Sequence, residues 1–373
     1  MASSIETTST TTTLKNNGNT YLSVDTNDDV AITNTLTATS PTFVTPNIGA
    51  ATVTSLNGGQ LAGFRNRIIN GDMLVWQRGT SIAFNASTAT YTADRWGALG
   101  TGAKTVTRQT GENAQYALRL QRNNTETGTS AMAIATALET SDIVPLRGTK
   151  VTVSFRMRKG ANYSGGDVSV NLFTGTGTES IRDFTAGYTG EANIGGTIAS
   201  ATISTSFVDY SITSSVVVAS NATQMTLQIQ YSPTGTAGAN DWIEVEQIQL
   251  EEGSVATPFE HRSYGTELAL CQRYYQTYQA TAQEWIYLEG AGATSRWWQS
   301  YINTPMRAVP SATITSGFSG SMIGGTINSI ALQSIQNNRA SWRVTTSATF
   351  GSAYEVRHTD SFNGEKVLYS AEL

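Results

Sequence analysis

The side chains that could carry out catalysis are few and poorly placed for it. The 373 residues contain two histidines, His261 and His358, which lie far apart and in different predicted domains. A single cysteine, Cys271, excludes an intrachain disulfide and a cysteine-based zinc site. Cys271 also falls on the apolar stripe of a predicted helix, where we expect a buried, unreactive thiol. The sequence therefore predicts a protein that is not an enzyme and that holds no cofactor or metal.

Two segments begin like ligand-binding loops and then depart from them. A phosphate-binding loop needs Lys directly after its second Gly, but Ala103 intervenes in the segment Gly97–Thr105. The segment Asp25–Asp29 resembles the start of a calcium loop, but Val30 replaces the required Gly and Leu36 the required Glu. Neither segment predicts a nucleotide or calcium site.

Two adjacent acids, Glu251 and Glu252, end a predicted strand. A glycosidase needs two carboxylates that flank one bond, but neighbouring residues of a strand point to opposite faces. We therefore expect both to be solvated acids.

The composition predicts an all-β protein. Charged residues make up 14% of the chain, against about 25% in typical globular proteins. They are replaced by 57 Thr, which favours strands, and 34 Gly, which favours turns. The net charge of −5 comes without any basic segment, so we expect no nucleic-acid binding. No secretory signal and no apolar run long enough for membrane insertion is found.

The elements that would position any site fall into three predicted domains. Residues 1–62 hold little apolar or aromatic surface and form either a disordered segment or a short oligomeric shaft whose core lies between chains. Residues 63–262 contain repeated apolar–polar alternation, which predicts a jelly-roll β-sandwich. The alternating runs begin near Tyr116, Val151, Val168, Met225 and Trp242. Asn70-Gly71 predicts a hairpin turn between Arg67-Ile-Ile and Met73-Leu-Val-Trp.

The third domain, residues 263–373, is predicted to combine one short helix with a smaller C-terminal β-sandwich. The spacing of Leu270, Tyr274 and Tyr278 predicts a helix from Thr266 to about Tyr278. Later strands are predicted over residues 296–303, 341–347, 353–359 and 366–370.

Several motifs together resemble tail-fibre proteins of tailed bacteriophages, of the marine or cyanobacterial type. Ser40-Pro-Thr-Phe-Val-Thr-Pro46 is similar to a stalk repeat of these fibres. The other matching motifs resemble the opening and closing segments of a fibre jelly-roll module and a fibre C-terminus. They are Asn66–Met73, Trp76-Gln-Arg78, Tyr91–Trp96, Gln249–Glu260, Glu267–Tyr275 and Ala371-Glu-Leu373.

The resemblance implies a virion tail fibre, made in the host cytoplasm, that recognises the host surface without catalysis. It implies a homotrimer that attaches by its N-terminus to tail adaptor, nozzle or baseplate proteins and binds a host polysaccharide or lipopolysaccharide. The jelly roll would be similar in fold to carbohydrate-binding modules, which does not establish sugar binding. The alternatives are a purely structural tail component such as an adaptor or spike, a fibre with depolymerase activity, and a secreted adhesin or lone sugar-binding module.

The aromatic residues indicate where the receptor would bind. The predicted distal domain, 263–373, holds 12 of the 22 Trp and Tyr residues and no formal net charge. Sugar rings dock on aromatic faces, although packing of a small core also needs aromatic residues. Trp297 and Trp298 are adjacent in a predicted strand, so one of them should face outwards. The predicted receptor-binding residues are Trp285, Arg296, Trp297, Trp298 and Tyr301.

Overall fold

A computed structural model gives the architecture of the chain. It describes residues 3–7, 11–16, 19–25, 30–31, 64–279, 286–287, 295–314, 321–322, 325–336, 339–346, 355–356 and 366–373. Side chains are described over residues 64–278, 300–314, 331–336, 339–343, 345 and 367–373. The chain forms two compact units, Met1–Val53 and Thr54–Leu373. The predicted boundaries near residues 62 and 262 stay predictions.

The first unit contains an antiparallel four-stranded sheet in the order β1-β2-β3-β4. The strands are β1 Ser3–Thr7, β2 Thr11–Asn16, β3 Asn19–Asp25 and β4 Val30–Ala31. Thr-rich, β-branched sequence favours these strands. The Ser40–Pro46 motif lies outside the described residues.

The second unit begins with the jelly-roll strands. They are β5 Ser81–Tyr91, β6 Gly97–Thr110, β7 Tyr116–Arg122, β8 Met132–Leu138, β9 Val151–Lys159, β10 Val168–Gly175, β11 Ala192–Asn193, β12 Gly196–Ile198, β13 Val208–Thr213, β14 Gln224–Tyr231 and β15 Trp242–Glu252. The pairing order is β11-β10-β14-β8-β6-β7-β15-β9-β13, with β12 on β10 and β5 on β6. The all-β prediction is confirmed.

Strand β6 bends, which curls this sheet into a sandwich. Its first residues, from Gly97, pair with β8, and its residues from Lys104 onwards pair with β7. Gly100 lies at the bend with φ of 137°, and a Cβ there would stand 2.8 Å from the Ala131 carbonyl oxygen. Glycine is therefore required by the backbone, and the glycine-rich segment is part of a strand rather than a phosphate loop.

The core lies between the two layers and follows the alternation read from the sequence. Every second residue of β14, from Met225 to Tyr231, is buried in it, as are Leu118 and Leu120 of β7. Trp96 is fully buried against the same cluster. These strand predictions are confirmed, because period-two alternation places one face of each strand in the core.

A buried cation holds one end of the sandwich together. Arg122 has no exposed surface, and its guanidinium is surrounded by oxygen acceptors. The acceptors are Asp241 Oδ2 at 3.0 Å, Ser164 Oγ at 2.9 Å, and the carbonyl oxygens of Glu126 at 2.7 Å, Thr234 at 3.2 Å and Gly235 at 2.8 Å. Arg122 thus ties together loops that are distant in sequence.

Two helices occur in the described part of the second unit, α1 Thr140–Ile143 and α2 Tyr264–Gln272. Short 3-10 turns cover Val144–Leu146 and Ser200–Thr202. Ser263 caps α2, since its hydroxyl accepts a hydrogen bond from Thr266 N at 3.3 Å. The predicted extension of this helix to Tyr278 is wrong, because residues 275–279 pair as a strand with residues 366–370. No described helix is long and apolar enough to cross a membrane.

Two further sheets and a short strand pair follow α2. The strands are β16 Tyr275–Gln279, β17 Ile286–Tyr287, β18 Ser295–Tyr301, β19 Ser311–Ile314, β20 Ser321–Met322, β21 Gly325–Gln336, β22 Arg339–Thr346, β23 Glu355–Val356 and β24 Lys366–Ser370. One sheet has the order β16-β24-β19, the other has the order β18-β22-β21-β20, and β17 pairs with β23.

The predicted hairpin around Asn70 is wrong. The residues from Phe64 to Thr80 contain turns but no strand. Asn70 has φ of 57°, and its buried amide donates to the carbonyl oxygens of Val75 and Asp94, both at 2.9 Å. The turn is thus fixed by side-chain hydrogen bonds to distant backbone rather than by pairing of two strands.

Candidate functional site

The candidate site is one face of the sheet formed by β18, β22 and β21. In the register of β18 and β22, Trp297 lies opposite Arg343 and Tyr301 opposite Arg339. Residues two apart in a strand share a face. Position 297 therefore falls on the same face of β18 as Tyr301.

This face carries an exposed aromatic ring and two guanidinium groups. Tyr301 is 48% exposed. The Arg339 guanidinium carbon lies 5.3 Å from the centre of the Tyr301 ring, within the range of a cation–π contact. Arg339 and Arg343 are both exposed. An aromatic face with adjacent hydrogen-bond donors can stack on a sugar ring and bind its hydroxyl groups.

The opposite face of the same strands is buried. Ser300 and Ala340 have no exposed surface, and Trp342 is 2% exposed. The Trp342 indole donates to Ser300 Oγ at 2.7 Å, and Ser300 also shares a short hydrogen bond with Tyr369 Oη of β24. These bonds join the two C-terminal sheets and hold the exposed face in place.

The five predicted receptor-binding residues differ in how much of each the structure describes. Arg296, Trp297 and Trp298 lie in β18, where the description covers their backbone, and Trp298 is opposite Trp342 in the register. Tyr301 is described in full, whereas Trp285 lies outside the described residues. The assignment of these five residues to a receptor site stays a prediction.

The motifs that resemble fibre proteins meet in a buried cluster that the sequence did not predict. We define this junction by Asn70, Asp94, Arg95, Glu267 and Glu372. Glu267 accepts a hydrogen bond from Asn70 N, and Glu372 pairs with Arg95. Asp94 Oδ1 accepts from Gln77 N at 3.0 Å. The junction joins the start of the jelly roll to α2 and to the residues after β24.

The junction is closed by aromatic rings. Arg95 lies 3.5 Å from the centre of the Tyr274 ring, and Arg78 lies 3.6 Å from that of Tyr275. Arg78 also pairs with Glu372 at 3.1 Å.

Burial raises the pKa of Asp94, although its hydrogen bond with Gln77 and the Arg78 charge oppose the shift. A buried network whose polar groups are all paired stabilises the fold and leaves no group for a ligand. The sequence signal that could have revealed the junction is the placement of charged residues inside apolar motifs.

Two expectations about individual residues have different outcomes. Cys271 is buried, and burial raises the pKa of its thiol well above the ordinary value, as expected for an unreactive cysteine. Glu251 was expected to be solvated, which is wrong. Its side chain has no exposed surface, pairs with Arg65 at 3.4 Å and accepts from Thr257 N at 2.8 Å. It anchors the connection that follows β15.

Among the described residues, no group of three or more His, Cys, Asp or Glu side chains is arranged to hold a metal ion. Asp72 and His261 form one pair, with Oδ2 and Nδ1 separated by 3.4 Å. Burial raises the pKa of Asp72 to about 6, while the neighbouring His261 opposes this shift.

No family model matches the chain, and neither does any curated protein. Solved structures with a similar arrangement of strands include the C-terminal family 22 carbohydrate-binding module of Clostridium thermocellum Xyn10B. It is 14% identical, with 46% of this chain and 99% of that chain covered and a TM-score of 0.30. The CBM22-2 xylan-binding domain of Paenibacillus barcinonensis Xyn10C is 13% identical, with 46% and 99% covered and a TM-score of 0.28.

A cyclase from Fischerella sp. TAU is similar to the same degree. It is 12% identical, with 50% of this chain and 96% of that chain covered and a TM-score of 0.29. A cyclase and xylan-binding domains thus stand equally near to this chain. With TM-scores this low, the likenesses do not indicate what the chain binds or does.

Proposed function

We propose that the chain is a tail fibre of a tailed bacteriophage that recognises a glycan on the host surface without catalysis. The observation that carries the proposal is the exposed face of β18, β22 and β21, where the Tyr301 ring lies beside Arg339. The polysaccharide would stack on this ring and on Trp297, and the guanidinium groups of Arg339 and Arg343 would donate to its oxygens.

The rigid support of this face favours a binding role. The Ser300, Trp342 and Tyr369 hydrogen bonds fix the buried side of the sheet, so little order has to be gained when a ligand binds. The Thr-rich strands of the first unit are suited to a shaft built from several chains, and we propose a homotrimer attached to tail proteins by this end. Three binding faces in one trimer would strengthen attachment through avidity.

The test is binding of the purified full-length protein to cells of the phage host. Tyr301→Ala should weaken binding roughly thirtyfold, because a ring at the centre of an interface commonly contributes about 2 kcal/mol or more. Arg339→Gln should also weaken binding to host cells. Light scattering on the same samples should give the mass of three chains.

Tyr264→Ala is the matched control, since Tyr264 is 58% exposed but lies in α2 rather than on this sheet. Its binding should equal that of the unmodified protein. If Tyr301→Ala binds normally while folded, receptor recognition does not involve this face. If the unmodified protein binds no host cells, the chain is a structural tail component instead.

A further inference from the structure

The four-stranded sheet of the first unit has two unlike faces. Residues that lie directly opposite each other in an antiparallel pair share a face, and so do residues two apart in one strand. The register pairs Ile5 with Leu14, Leu14 with Leu22, and Val24 with Val30. Since Leu22 and Val24 are two apart in β3, these five residues fall on one face, which we call the apolar face.

The opposite face of this sheet carries all the charged residues of the four strands. Neighbouring residues of a strand fall on opposite faces. Glu6, Lys15 and Asp25 each stand next to a residue of the apolar face, so all three fall on the other side. The remaining residues that the register places on the apolar face are uncharged, namely Ser3, Thr7, Thr12 and Asn16. The sheet is thus amphipathic, with one uncharged face.

An apolar sheet face is stable only when a second layer packs on it. Among its described residues, the first unit contains this one sheet and no helix. A unit of 53 residues is marginal by itself, because so short a chain buries only a modest fraction of its surface. Natural domains of this size gain stability from disulfides, from metal ions or from association of copies.

The sequence of this unit argues against the first two of these means. Residues 1–53 contain neither cysteine nor histidine, so they form no disulfide and no thiolate or imidazole metal site. The segment Asp25–Asp29 lacks the later Gly and Glu of a calcium loop. Association of copies fits the apolar face, because identical uncharged surfaces can meet without burying a charge. Three copies around one axis can each supply one wall of a shared core.

We infer that the apolar face of the first unit is the surface through which copies of the chain associate, with the same face of each copy packed around a common axis. The inference rests on the proposed homotrimer and deepens it, because it assigns the contact between chains to one side of the sheet β1–β4. The charged side of the sheet would then lie outside the trimer, where its charges stay solvated.

The test compares two neighbouring positions of β2 in the full-length protein. Leu14→Lys places a charge on the apolar face, and Thr13→Lys places the same charge on the opposite face. Burial of an unpaired ammonium group between chains is strongly unfavourable, so Leu14→Lys should lower the mass measured by light scattering from three chains to one. Thr13→Lys should keep the mass of three chains. Equal masses of the two variants, whether of one chain or of three, overturn the inference.

Cysteine variants cover the case in which Leu14→Lys prevents the sheet from folding. The single native cysteine, Cys271, is buried, so an added thiol is the one that reacts. A bismaleimide that spans about 10 Å, the spacing of packed sheets, should join chains of Leu14→Cys but not those of Thr13→Cys. If Leu14→Cys is protected from a monofunctional maleimide yet forms no bond between chains, the same chain covers the apolar face and the inference is wrong.

The masses also separate this inference from the proposed function. A mass of two chains that Leu14→Lys reduces to one would uphold the apolar face as the contact but overturn the homotrimer, and a mass of one chain for the unmodified protein would overturn both. Single chains of Leu14→Lys keep the Tyr301 face, so they should still bind host cells, roughly a hundredfold more weakly because avidity is lost. Host-cell binding by Tyr301→Ala trimers therefore reports on glycan recognition alone.

Discussion

The Glu372 carboxylate pairs with the guanidinium of Arg95, a residue that is 2% exposed. Arg95 Nη2 also donates to the Ala137 carbonyl oxygen at 2.6 Å. The charge of Glu372 raises the pKa of Arg95 although burial opposes it. The residues after β24 thus supply the counterion for a cation in the jelly-roll core, and the two parts of this unit should unfold together.

Glu372→Gln tests this coupling. Removing one partner of a buried pair leaves an uncompensated charge, and we expect the free energy of unfolding to fall by roughly 3–5 kcal/mol. Urea denaturation followed by fluorescence measures the change. Glu112→Gln is the control, because Glu112 also pairs with an arginine but is 54% exposed, and it should change stability by less than about 1 kcal/mol. Equal effects of the two substitutions would contradict the role of Glu372.

Arg122→Met should destabilise the jelly roll by roughly 3–5 kcal/mol, because Asp241 would be left buried without its cation. Adding Asp241→Asn in the same chain removes the unpaired charge and should recover part of this loss. Thermal denaturation of Arg122→Met, of Asp241→Asn alone and of the double variant gives the coupling free energy between the two side chains. Additive losses in the double variant would show that the two side chains act independently.

Asp72 should make stability depend on pH in a defined window. Its pKa is about 6 in the folded protein, above the ordinary value near 4, so the folded state holds the proton more tightly. The stabilisation from this proton is complete below about pH 4 and is lost as the pH rises through about 6. Asn at this position has no charge to bury at high pH. As the pH rises from 4 to 7, the free energy of unfolding of Asp72→Asn should therefore increase by about 2 kcal/mol relative to that of the unmodified protein.

The measurement is the difference in unfolding free energy between the Asp72→Asn variant and the unmodified protein, taken at several pH values. Asp209→Asn is the control, since the Asp209 side chain is 89% exposed. Its curve gives the baseline for replacing a solvent-exposed aspartate. The same curve for Asp72→Asn would show that Asp72 titrates with an ordinary pKa.

Trp342→Ala should destabilise the C-terminal sheets by roughly 3–5 kcal/mol, the usual effect of emptying a buried aromatic position. It also removes the donor to Ser300. Tyr301→Ala, on the other face of the same sheet, should cost less than about 1 kcal/mol. Hydrogen exchange of the β22 amides measures both effects locally. A large loss in Tyr301→Ala would mean that this ring supports the fold rather than a ligand.

Sequence patterns predicted those features that depend on neighbouring residues. Alternation located β9, β10, β14 and β15, because each strand has to place every second side chain in the core. The end of α2 was missed, because the spacing of Tyr274 and Tyr278 fits a helix as well as a strand. Pairing with β24 decided between them, and no local pattern shows that partner.

The junction and the burial of Glu251 were beyond local patterns for the same reason. Asn70 and Glu267 are separated by 197 residues, and Arg95 and Glu372 by 277. A single sequence does not reveal which distant residues meet. The motif resemblances did identify most of the segments involved, but without the contacts that join them. Alternation alone requires one of the two adjacent tryptophans of β18 to face outwards, and the receptor-binding role of that position stays a prediction.

The long separations across the junction have a kinetic consequence. Chain segments that lie between about 200 and 300 residues apart have to meet before any of these hydrogen bonds forms, and such topologies fold slowly. Once these contacts have formed, they have to break together before this part of the protein can unfold. The lifetime of the folded protein should therefore depend on the height of the unfolding barrier, and heat inactivation should vary with the rate of heating.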